Sequence, residues 1–254
     1  QDHGETEAVL HPDGRLSGMD LPGKIFRYAF YRFIVGSLRL LLTTSASVRV
    51  KNFAPFPDGP FILVSNHISH FDPPILSGWI RPKIDWIAMS ELFGTSWSHL
   101  GFTWLDVIPV RRHGDDRHAL REALRRLAIG HVIGVFPEGG IRDGEKSILA
   151  GAPMQDGAIM LSVHSGAPIV PAAILGSDRL YNKKNWLRWR RADVYLATGA
   201  PIFPDTESKK SVAREKMREE VSASVIRLKD ELIASYGLSP DDLPHSPQQR
   251  MLEP

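Results

Sequence analysis

From residue 61 onward the chain alternates short apolar runs with longer segments of helical period, and this alternation constrains the fold more than any other feature. FILVS (61–65), IDWIAM (84–89), VIGVF (132–136), IVPAAIL (169–175) and ADVYLAT (192–198) have the length and β-branched content of strands. DDRHALREALRRLAIG (115–130) reads as a helix opened by Asp115 and Asp116, carrying Leu120, Ala123, Leu124 and Leu127 on one face and stopped by Gly130. Residues 156–165 and the charged stretch 211–236 read as further helices, and SVRVKN (47–52) alternates as another strand. Such a sequence predicts an α/β fold, an open mixed sheet flanked by helices, with ligand sites where strands end. A chain of 254 residues suits one domain of this kind with appendages. The expected division is a flexible tail over 1–23, an amphipathic helix over 24–46, the domain over 47–238 and a second flexible tail over 239–254.

The helix expected at 24–46 is the most apolar part of the chain, but Lys24, Arg27, Arg32 and Arg39 interrupt it, so it falls short of the ~20 apolar residues that span a bilayer. On a helical wheel those cations occupy about 140°, and Phe26, Ala29, Phe30, Phe33, Leu40 and Leu41 fill the other side. This pattern predicts a membrane-associating helix lying in the interface. YNKKNWLRWRR (181–191) interleaves Trp186 and Trp189 with cations, a composition that suits anionic headgroups. The balance of 31 Lys+Arg against 29 Asp+Glu gives no sign of a nucleic-acid partner.

Two strands run straight into polar turns: FILVS into NHISHFDPP (66–74), and VIGVF into PEGGIRDG (137–144). Taken alone, the first turn has three readings: a satisfied structural turn, a metal site built on His67, His70 and Asp72, or a general base with its orienting carboxylate. In the last reading Asp72 accepts a hydrogen bond from the Nδ1–H of His67, which fixes the tautomer and leaves Nε2 as the base. The chain contains no cysteine, which excludes a cysteinyl nucleophile, a covalent thioester on the protein and disulfides. Gly139 and Gly140 after Glu138 would let backbone N–H groups approach an anion, and arginines would grip a phosphate.

NHISHFD, IPVRR (108–112), FPEGG (136–140) and IVPAAI (169–174), in that order, resemble the glycerolipid acyltransferase family, whose best-known members are 1-acylglycerol-3-phosphate acyltransferases. The resemblance covers about residues 47–204 and implies His67 as the base and Asp72 as its orienter. It implies Arg112, with Arg111 beside it, as the phosphate grip, and Glu138, Gly139, Gly140 and Arg142 as substrate-binding residues. Arg142 stands one position later than in the common form of the third motif. The reaction implied is O-acyl transfer from acyl-CoA or acyl-carrier protein, as co-substrate, to a lysophospholipid hydroxyl, with no metal and no further cofactor. The expected setting is the cytoplasmic face of a membrane containing anionic lipids. The acceptor the resemblance favours is 1-acylglycerol-3-phosphate; transfer to another lyso-lipid or lipid alcohol, a metal-dependent hydrolase and a non-catalytic lipid-binding protein are the rival readings.

Overall fold

The computed structural model describes residues 21–93, 105–110, 117–186 and 191–252. Among them seven strands form one sheet: β1 (Ala46–Asn52), β2 (Ile62–Ser65), β3 (Ile84–Met89), β4 (Ile108–Val110), β5 (Val132–Val135), β6 (Ile169–Leu175) and β7 (Ala192–Thr198). Their spatial order is β1-β7-β6-β2-β5-β3-β4. Pairs from β6 through β2, β5 and β3 to β4 are parallel, β7 runs antiparallel to β6, and β1 is parallel to β7, so the sheet is mixed. Pro109 is tolerated because β4 is an edge strand with β3 as its neighbour, so its missing N–H costs no ladder bond on the open side.

Alternation along the strands sends successive side chains to opposite faces. Ile62, Val64, Ile133, Ile169 and Ala197 face one layer of helices: α3 (Arg117–Ala128), α4 (Gly157–Ser165) and α5 (Lys210–Tyr236). Phe61, Leu63, Val132, Ile174 and Leu196 face the other, made by α1 (Leu21–Ser45) and α2 (Asp72–Trp79). In α5 the buried positions Ala213, Met217, Val221, Val225, Leu228 and Leu232 follow a spacing of three and four, and Gly237, with φ of 61°, ends the helix.

The order of the strands makes a crevice. From β2 the chain passes through α2, on one face, to β3; from β5 it passes through α4, on the other face, to β6. Neighbouring strands β2 and β5 therefore send their connections in opposite directions, which leaves a gap above their C-terminal ends. The register pairs Val64 with Val135, so the residues that follow each strand come out side by side.

Several expectations are modified. The turn after β2 contains a helix that the motif reading left out: Asp72 opens α2, and Pro73 and Pro74 occupy its first turn, where a missing N–H costs nothing. Arg126 of α3 reaches Asp85 at 3.0 Å and is mostly buried. Residues 239–252, expected as tail, carry a capping box at Ser239 and the short helix α6 (Pro247–Leu252), whose Arg250 is buried against Asp178. Of the tail expected over 1–23, residues 21–23 belong to α1, while residues 1–20, like Asp115, Asp116 and Trp189, lie outside the described residues.

Candidate active site

Immediately beyond β2, the Asn66 side chain receives the N–H of Ile174 at 2.8 Å and donates to its carbonyl at 2.9 Å, continuing the β2–β6 ladder through an amide group. That anchor fixes where the next residue leaves the sheet. The Nδ1 of His67 lies 2.8 Å from Asp72 Oδ2. The same oxygen accepts the backbone N–H groups of Ile68 and Ser69, each at 2.8 Å, while Oδ1 accepts the hydroxyl of Ser177. Asp72 is fully buried. Four donors committed to its two oxygens hold this buried carboxylate in one orientation. Nδ1–H donating to that carboxylate leaves the lone pair on Nε2.

The ring of His67 stacks on Phe136 with centroids 4.1 Å apart, and Phe136 stacks in turn on Trp86 at 4.7 Å. The histidine side chain retains 16% of its exposure, enough for contact with a ligand while the aromatic column fixes its plane.

Glu138 follows β5 as His67 follows β2, and the register brings them together. Its Oε2 accepts the His67 backbone N–H at 2.5 Å, and its Oε1 accepts the Ser147 hydroxyl and the Ile148 N–H, both at 2.8 Å. Through these three donors the carboxylate braces the two loops against each other. Burial pushes its pKa up to about 6, although the three donors oppose the rise. A second tie runs from the Arg142 N–H to the His67 carbonyl at 2.8 Å.

The glycines expected to cradle an anion have a more local role at Gly139. It takes a φ of 65°, and a Cβ there would lie 2.2 Å from the Gln155 amide, so the position closes a turn against a neighbouring side chain. Gly140 follows it, and the guanidinium of Arg142 is exposed beside this loop. Arg111 and Arg112 lie outside the described residues; β4 ends at Val110. His70 bonds through Nδ1 to the Tyr181 hydroxyl at 2.6 Å, turned to a different partner from His67. Among the described residues no group of three or more His, Asp and Glu side chains is placed to hold a metal ion.

Two residues that the motifs did not single out complete the arrangement: Ser147, which holds Glu138, and Ser177, which holds Asp72. Ser177 is reached from β6 through Gly176, whose φ of 82° and close approach to the Asp193 carbonyl, 2.3 Å from where a Cβ would sit, require glycine. Because β6 is parallel to β2, this turn emerges at the same edge as His67.

A mixed α/β sheet with a histidine–carboxylate pair above its switch point is an arrangement able to activate a hydroxyl or a water. The comparisons narrow that chemistry. A model of the family described as Acyltransferase matches residues 47–175, about half of the chain, and the protein belongs to that family. The 1-acyl-sn-glycerol-3-phosphate acyltransferase of Bacillus subtilis (strain 168) is 28% identical over 148 residues, which cover 58% of this chain and 71% of that one. A relative in Brassica napus, the 1-acyl-sn-glycerol-3-phosphate acyltransferase BAT2, chloroplastic, is 22% identical over 207 residues, 79% of this chain but 57% of its own length. Among solved structures, the 1-acyl-sn-glycerophosphate (LPA) acyltransferase PlsC of Thermotoga maritima superposes with a TM-score of 0.60 at 26% identity, covering 80% of this chain and 83% of that one. The protein is an O-acyltransferase of mixed α/β architecture.

Proposed function

We propose that the protein moves a fatty acyl group from acyl-CoA or acyl-carrier protein to the free hydroxyl of 1-acylglycerol-3-phosphate. The observation that carries this reading is the His67–Asp72 pair, 2.8 Å apart, with the carboxylate fixed by three further donors. The relatives act, by name, on that acceptor. In the proposed step Nε2 of His67 takes the hydroxyl proton as the oxygen attacks the thioester carbonyl. Collapse of the tetrahedral intermediate breaks the C–S bond, and the departing thiolate takes the proton back from the imidazolium. Asp72 holds the tautomer and stabilises the transient positive charge. Arg112, with Arg111, is proposed to bind the acceptor phosphate, with Arg142 beside the third-motif loop; the step needs no metal or further cofactor.

The same reading places the enzyme on the cytoplasmic face of a membrane, where acyl thioesters are supplied. Its support is α1, which leaves Ile25, Phe26, Phe33, Leu40 and Leu41 exposed along one side. Among the described residues no helix is long and apolar enough to cross a bilayer, and α1 suits a position along the interface. The turn carrying Lys183, Lys184 and Trp186 lies against α1 and extends the surface with cations and an indole.

The test is product formation from lysophosphatidic acid and an acyl-CoA, followed by mass spectrometry. His67→Ala is expected to lower turnover by at least ~10²-fold with far-UV circular dichroism unchanged, and Asp72→Asn to lower kcat more than it raises KM. Near-normal turnover by His67→Ala refutes the base.

A further inference from the structure

At the opposite end of α2 from Asp72 lies a cavity of about 220 Å³ between α1 and the segment leading from α2 into β3. It is separate from the candidate active site: Ser77, Gly78, Arg81 and Lys83 precede β3, whereas His67 follows β2, and those strands run in the same direction. Among the described residues no acidic side chain lines it, and four cations do: Arg32, Arg39, Arg81 and Lys83.

The four are not equivalent. Lys83 is neutralised by Asp85, at 3.0 Å, and by Asp106. Arg39 is oriented without being neutralised: its Nη1 donates to the Gly78 carbonyl at 3.0 Å, and its guanidinium lies 5.0 Å from the centroid of the Trp79 ring. Arg32 and Arg81 are exposed, and neither has a carboxylate partner among the described residues. Three guanidiniums around one cavity repel each other, and an anion with several oxygens relieves that repulsion while accepting paired N–H donors. The volume is below the ~300 Å³ at which pockets for drug-sized ligands begin, and suits a headgroup.

The position supplies the source of the anion. Along α1, Arg32 directly precedes Phe33, which is 69% exposed, and Arg39 directly precedes Leu40, which is 71% exposed. The cationic cavity therefore borders the exposed apolar side of the helix. When that side enters the acyl region of a bilayer, the cavity stands at the depth of the headgroup phosphates. We propose that this cleft, formed by Arg32 and Arg39 of α1 and by Arg81, is a binding site for the phosphate of an anionic phospholipid, distinct from the acyl-acceptor site. The proposal rests on the membrane-surface reading of α1 above, and not on the assignment of His67.

The experiment compares wild type, Arg32→Gln/Arg81→Gln and the charge-matched Lys183→Gln/Lys184→Gln in cosedimentation with phosphatidylcholine vesicles, with and without phosphatidate. The cleft variant is expected to lose about tenfold more affinity for phosphatidate vesicles than the charge-matched variant, with equal binding to pure phosphatidylcholine. Equal losses in the two variants overturn the proposal, since general positive charge then accounts for the attraction. A second arm measures Tm in inorganic phosphate without vesicles. Stabilisation that the cleft variant abolishes, together with vesicle binding no weaker than the charge-matched variant's, assigns the cleft to free phosphate and overturns the lipid site. The single variant Arg32→Gln, which removes an exposed side chain, repeats the comparison if the double variant misfolds. Acyl transfer to detergent-dispersed acceptor is followed in parallel: its absence in wild type would defeat the proposed reaction and leave the vesicle comparison intact.

Discussion

Glu138 ties two loops of the candidate site together from within. It joins the loop after β2 to the loop after β5 by accepting from His67, Ser147 and Ile148. Burial nevertheless raises its pKa from an ordinary 4.5 to about 6. Because the folded protein holds this proton more tightly than the unfolded chain, ionising Glu138 weakens the fold. The contribution is present below pH 4.5, falls as pH rises between 4.5 and about 6, and is lost above that. Between pH 4 and pH 7 wild type is expected to lose about 2 kcal/mol relative to Glu138→Gln, whose side chain does not titrate. Urea unfolding of both proteins at several pH values measures this, and parallel curves would place the Glu138 pKa at its ordinary value. The contact of His67 with Asp72 is local, five residues apart, and so was one of three readings of its turn, singled out by the order of the four motifs. The inward direction of Glu138 was not legible in the sequence, since it depends on the register of β2 against β5. Ser177 was still further from view, 105 residues from the carboxylate it holds.

At the level of elements, β3 and β5 position the histidine through an aromatic column. Gly134 in β5 makes room for it: a Cβ at that position would lie 2.5 Å from the Trp86 ring and 2.7 Å from Ile84. Trp86 is further fixed by its Nε1–H, which donates to Ser77 at 2.8 Å, so it cannot yield without breaking that bond. Gly134→Ala is therefore expected to destabilise the protein by about 1–3 kcal/mol, the usual cost of overfilling a packed core. It also displaces Phe136 and thereby His67, so kcat should fall more than the loss of folded protein explains. Denaturation midpoints and turnover corrected for folded fraction separate the two effects; wild-type values in both would show that the column has slack. Apolar strands such as β3, β6 and β7 were readable from composition and period, with the bounds now seen. The three-residue β4 was too short for period to register, and α2 was obscured by the prolines that in fact begin it. The burial of Arg126 was out of view for a different reason: its partner Asp85 belongs to β3, not to its own helix.

For the molecule as a whole, the C-terminal segment extends the structure back to the active-site edge of the sheet. Arg250 on α6 places its Nε 2.6 Å from Asp178 Oδ2, with both side chains buried, and the His245 N–H donates to the same oxygen at 3.0 Å. Asp178 directly follows Ser177, whose hydroxyl donates to Asp72, so the docked segment supports the turn that holds this carboxylate beside His67. Nothing in the composition of 239–254 announces this, because the driving contact is one ion pair with a residue some seventy positions earlier. A buried pair broken on one side costs far more than the pair itself contributes, since the remaining charge is left without its partner. Arg250→Met is expected to lower stability by about 3–5 kcal/mol at neutral pH. Burial already raises the Asp178 pKa against the opposing pull of Arg250, so removing the arginine raises it further, and the loss should shrink as the pH is lowered and the carboxyl takes up a proton. Adding Asp178→Asn should restore more than half of the loss by removing the unpaired charge, with acyl transfer recovering in step. If the double variant is no more stable than Arg250→Met, the segment is held by its other contacts, such as the Arg250 bond to the Leu243 carbonyl, and the ion pair is not what docks it.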